Sequence, residues 1–100
     1  MSALNLNIPH NLTQEEALTR IKGLLANLKD DQKDTISDVK EDWLGNKGSF
    51  SFKAKGFNVA GDIEVNDSNV KINSQLPLAV SFFKGPISDI ITKKATELLQ

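Results

Sequence analysis

The sequence predicts an α+β fold. A two-layer sandwich is expected, in which an antiparallel sheet of about five strands carries two helices on one face, in the order β-α-β-β-β-β-α. Three observations predict it. From Phe50 to Leu78, apolar and polar residues alternate with period two between turn signals. Residues 14–29 and 86–99 carry apolar residues at helical spacing instead. The chain has 100 residues, enough for one domain with one core and no more.

The elements follow in order. Leu4, Leu6 and Ile8 alternate with Asn5 and Asn7 as a short strand, which Pro9 ends because it has no amide to donate. Thr13-Gln14-Glu15-Glu16 reads as a capping box. The Thr13 hydroxyl takes the Glu16 amide, and the Glu16 carboxylate reaches back to the amide of Thr13. Ala17, Leu18, Ile21, Leu24, Leu25 and Leu28 then define one helix over about 14–29. The acidic stretch 30–42 opens as a loop and ends with Val39, Glu41 and Trp43 on one face of a strand. Gly45-Asn46-Lys47-Gly48, Lys55-Gly56 and Asn66-Asp67-Ser68-Asn69 are turns. At the C-terminal end Gly85-Pro86 interrupts the pattern. An irregular turn over 79–84 and a main helix from about 86 to 99 are expected, since proline is tolerated at a first helical position and not in an interior.

The turns fix a register. Centring the first turn between Asn46 and Lys47 pairs Trp43 with Phe50 and Val39 with Ala54. The second pairs Phe52 with Val59 and Phe50 with Gly61. The third pairs Val65 with Val70, Ile63 with Ile72 and Gly61 with Ser74, with Glu64 facing Lys71 on the other side. Apolar residues meet apolar residues throughout, so one face is core and the other is solvated.

Composition narrows the function classes. Hydrophobic residues are 39% and charged residues 25%, ordinary for a globular chain. The absence of Cys removes disulfides, thiolate metal sites and cysteine nucleophiles. A net charge of -1 argues against nucleic-acid binding, which needs a basic surface. No apolar run reaches the ~18 residues of a transmembrane segment, and the N-terminus carries no secretory signal, so a cytoplasmic location is expected. No cofactor is implied.

Few residues stand out as candidate sites. His10 is the only imidazole and has no second ligand or nucleophile specified nearby; a residue just before the helix cap that bonds backbone or a neighbouring acid is expected. Glu41 falls on the core face between Val39 and Trp43, opposite Phe52. It is either a special buried carboxylate or an edge residue that reaches water. The acids Asp30, Asp31 and Asp34 lack the glycine and closing glutamate of a calcium loop, so no metal is expected. Lys53, Lys55 and Lys71 lack interleaved aromatics. Phe50, Gly61 and Ser74 line up across three strands where small residues remove core volume. Either Phe82 or Phe83 fills that space, or Phe50, Gly61, Ser74 and Phe83 line a ligand-binding pocket for an apolar tail.

The run Ile8-Pro9-His10-Asn11-Leu12-Thr13-Gln14-Glu15-Glu16-Ala17 resembles the opening of a bacterial family, the polyhydroxyalkanoic acid system (polyhydroxyalkanoate granule-region) proteins. Trp43 with Phe50 or Phe52, the strand through Gly61-Asp62-Ile63-Glu64-Val65, and Lys84-Gly85-Pro86-Ile87 extend the resemblance over about residues 4–100. Pro86, the 30–35 loop and the turn around Gly45–Gly48 depart from the pattern. The resemblance implies association with storage-polyester gene clusters and no reaction or catalytic residues. A non-catalytic accessory protein is therefore expected, contacting a granule surface, a granule-associated protein or itself as a homodimer. The alternative is a lipid or acyl-chain binding module using a pocket between the sheet and the C-terminal helix; the layout also resembles a truncated lipid-binding grip fold.

Overall fold

The computed structural model describes residues 2–54, 56–76 and 84–100. They form β1 (Ser2–Pro9), α1 (Gln14–Ile21), α2 (Leu24–Asp31), β2 (Ile36–Leu44), β3 (Lys47–Ala54), β4 (Phe57–Val65), β5 (Asn69–Leu76) and α3 (Lys84–Leu98). The strands make one antiparallel sheet in the order β1-β5-β4-β3-β2. The helices cover one face: α1 lies against β4, α2 against β2 and α3 against β1. Ala17, Ile21, Leu24, Leu25 and Leu28 from the first helical pair and Ile91, Ala95 and Leu99 from the second meet the buried strand residues in one cluster. The expected α+β two-layer architecture is present.

The expected helix over 14–29 is two helices. Gly23 closes a tight turn with its amide on the Arg20 carbonyl (3.2 Å), and α2 restarts when the Asn27 amide reaches the Gly23 carbonyl (3.0 Å). Glycine is a poor interior helix residue, so a step there costs little. The apolar spacing continues across the step, which is why periodicity alone reads the two as one. Helix α2 runs to Asp31, into the acidic stretch expected to be loop. Helix α3 is described from Lys84, ahead of the expected start at about 86, and Pro86 lies in its first described turn. The irregular turn expected over 79–84 lies outside the described residues apart from Lys84, which is helical.

The registers of β3 with β4 and of β4 with β5 are as expected, including Phe50 with Gly61 and Gly61 with Ser74. Gly56 takes the left-handed φ of 85° that the second turn requires. The register of β2 with β3 is not as expected. Trp43 faces Gly48 and Glu41 faces Phe50, a shift of two residues. The hairpin turns on Gly45-Asn46, between Leu44 and Lys47, with Gly45 alone at positive φ (64°). That matches a type II′ turn, whose twist suits adjoining strands better than a turn one residue later. A bulge follows between Ser37 and Lys40, with Asp38 in the left-handed region at φ 52°. The extra residue returns Ile36 to the core face, where it is buried opposite Ala54.

Candidate functional site

The residues singled out by sequence occupy three places. At one end of the sheet, His10 sits between β1 and α1 and is 8% exposed. Its Nδ1 accepts the Leu12 amide (3.1 Å), so the proton is on Nε2, which donates to the Asn66 carbonyl (2.9 Å). The His10 amide bonds the Ser68 carbonyl (2.9 Å). Of the two expected partners, backbone or a neighbouring acid, both ring nitrogens take backbone, and the imidazole ties the first loop to the β4–β5 turn. Around it Gln14 Nε2 (3.0 Å) and Asn46 Nδ2 (2.8 Å) both donate to the Val65 carbonyl, stitching α1 and the first hairpin turn to the end of β4. The Thr13 hydroxyl accepts the Glu16 amide at 3.1 Å, so half of the capping box forms. The other half is replaced: the Glu16 carboxylate turns along the helix to Arg20 Nη2 (2.8 Å). Arg20 also donates to the carbonyls of Leu98 and Gln100, capping the end of α3.

At the β2 edge, Glu41 is exposed and its carboxylate accepts the Trp43 indole N–H (3.2 Å). Its cross-strand partner is Phe50 and not Phe52, because of the shifted register. Trp43 lies flat over Gly48; a Cβ there would stand 2.7 Å from the ring. The Lys22 ammonium approaches the same ring to 5.9 Å. Sequence reasoning placed Glu41 and Trp43 on one strand face but missed Lys22, which reaches the ring from the C-terminal end of α1.

In the middle of the sheet, Phe50, Gly61 and Ser74 do come together on the core face. Ser74 is buried and its hydroxyl donates to the Ala60 carbonyl (2.6 Å). Phe50 stacks on Phe52 with ring centres 5.9 Å apart. A Cβ on Gly61 would stand 2.1 Å from the Asn73 carbonyl oxygen and 2.9 Å from both Phe50 Cζ and Ser74 Cβ. The missing side chain at position 61 therefore makes room for the neighbouring strand and the tip of Phe50. Phe82 and Phe83, the residues expected to fill or line this space, lie outside the described residues. On the opposite face, Asn5, Asn58, Asp62, Asn73 and Gln75 border an open groove of about 630 Å³ that also reaches Phe50, Gly61 and Ser74.

Among the described residues, no group of three or more His, Asp or Glu side chains is placed to hold a metal ion, and no helix is long and apolar enough to cross a membrane. The folded molecule thus defines a small α+β protein whose single imidazole holds backbone in place. Residues 4–99 match the family described as Putative polyhydroxyalkanoic acid system protein, and the chain belongs to that family. No curated protein and no solved structure matches it.

Proposed function

We propose that the protein is a non-catalytic accessory protein of bacterial polyhydroxyalkanoate metabolism. It works in the cytoplasm through contacts with the storage-polyester granule surface or with a granule-associated protein. Family membership over residues 4–99 carries this reading. The commitment of both His10 nitrogens to backbone supports a non-catalytic role, since the one imidazole has no free nitrogen for proton transfer. Co-sedimentation tests it. The purified protein is expected to pellet with isolated granules and to stay in the supernatant without them. Granules stripped of their protein coat separate the two contacts: binding retained means the polymer surface, and binding lost means a coat protein. Equal partitioning with and without intact granules would overturn the reading.

Acyl-chain carriage draws no support from the described residues around Gly61, where backbone and the Phe50 ring take up the space. Mass spectrometry of organic extracts of the purified protein checks it directly.

A further inference from the structure

The two edges of the sheet among the described residues are built differently. An exposed edge strand is a template for pairing, and proteins usually blunt it with charges or bulges. The β2 edge has both: Asp38, Lys40, Glu41 and Asp42, and the bulge at Asp38. The β1 edge has neither. Ser2–Pro9 contains no charged residue, and its register with β5 is unbroken over eight positions.

Two hydrogen bonds fix which way its backbone points. The His10 amide donates to the Ser68 carbonyl, and the Asn66 amide donates to the Asn69 carbonyl. In an antiparallel ladder the bonded pairs alternate. Continuing both registers makes Leu4–Ser74, Leu6–Ile72 and Ile8–Val70 the bonded pairs of β1 with β5. The amides and carbonyls of Ala3, Asn5 and Asn7 then point out from the sheet, as does the carbonyl of Pro9. Proline's missing amide falls on this outer side, where β5 does not need it. Side chains of Ala3, Asn5, Asn7 and Pro9 are exposed, and among the described residues no strand pairs with this edge.

We propose that this edge pairs with the same edge of a second copy of the chain, extending two five-stranded sheets into one. The strand is complementary to itself about a two-fold axis at Leu6. Antiparallel pairing there sets Leu6 against Leu6 and Leu4 against Ile8 on the core face, and Asn5 against Asn7 on the solvent face. The same register puts outward-pointing Asn5 opposite outward-pointing Asn7, so each can take the other's amide. Leu6, on the core face of β1, is only partly buried, between Leu4 at 1% and Ile8 at 3%. Pairing covers it. Because the strand has no charge, two copies approach without like-charge contacts.

The chain has no Cys, so a single introduced thiol reports the pairing. At the axis the two copies of residue 6 form a non-hydrogen-bonded pair with Cα atoms ~4.5 Å apart, within disulfide range. Leu6→Cys is expected to form a covalent dimer under mild oxidation, far faster than the exposed helix control Ala26→Cys. The unmodified protein is expected to sediment at twice 11.0 kDa. Asn5→Pro, which removes an outward amide and no bond to β5, is expected to give a folded monomer. Amide exchange in the unmodified chain provides a readout independent of any variant: Asn5 and Asn7 amides are protected if the edge is paired. A monomeric unmodified protein, or fast exchange at Asn5 and Asn7, overturns the proposal, as does equal cross-linking of the two cysteine variants.

Discussion

Trp43 and Gly48 face each other as a non-hydrogen-bonded pair, the arrangement that brings cross-strand side chains closest. A glycine there lets the indole lie on the neighbouring strand. Gly48→Ala places a methyl 2.7 Å from the ring and must push it outward. Trp43 is the only tryptophan, so its emission is expected to shift to the red in that variant, with a stability loss of about 1–3 kcal/mol. Thr13→Ala removes an N-cap acceptor and is expected to cost about 1 kcal/mol by thermal unfolding. The cap was legible in the sequence because its partners are three residues apart. Glu16 was misread because a cation one turn further on competes for the same carboxylate.

At the scale of the element, Gly61 marks a close approach of β4 to β5. Its Cα pairs with Ser74, and any side chain would strike the Asn73 carbonyl. Backbone cannot move aside as a flexible side chain can. Gly61→Val is therefore expected to destabilise by about 1–3 kcal/mol, measured by urea unfolding. A variant as stable as the parent would show that the strands relax around it. Two of the three hairpin registers were legible because their turns leave one apolar match. The first was not, because Val39, Glu41 and Trp43 give a plausible alternation in two registers. The bulge at Asp38 then reverses the side on which Ile36 falls. Nothing in the local pattern announces a residue left out of the alternation.

At the scale of the whole molecule, the helical layer is held together by two polar links as well as by its core. Arg20 on α1 reaches the carbonyls at the end of α3. Lys94 on α3 pairs with Asp31 on α2 and with Glu97 at 3.4 Å. The hydrogen bond that the Lys94 ammonium donates to the Asp31 carboxylate raises the Lys94 pKa above the usual lysine value; partial burial opposes it, and Glu97 adds to the rise. The folded state thus holds this proton more tightly than the unfolded chain. Its stabilisation is complete below about pH 10 and is lost as pH rises through the raised value. Lys94→Met is expected to flatten the alkaline limb of the stability–pH curve. An unchanged limb would remove this bridge from the account.

The sequence by itself determined the layers, the strand and helix inventory apart from the step at Gly23, the two inner registers and the alignment of Phe50, Gly61 and Ser74. Each rests on spacing between neighbours in the chain, which periodicity and turn chemistry report directly. Tertiary structure decided the rest. The place of β1 beside β5, the register of β2, the backbone partners of His10 and the exposure of Glu41 all depend on groups far apart in sequence. It also decided that the space above Gly61 belongs to Phe50 and the Asn73 carbonyl. Close approach of two strands is set by sheet twist and packing, and a period-two pattern contains no term for either.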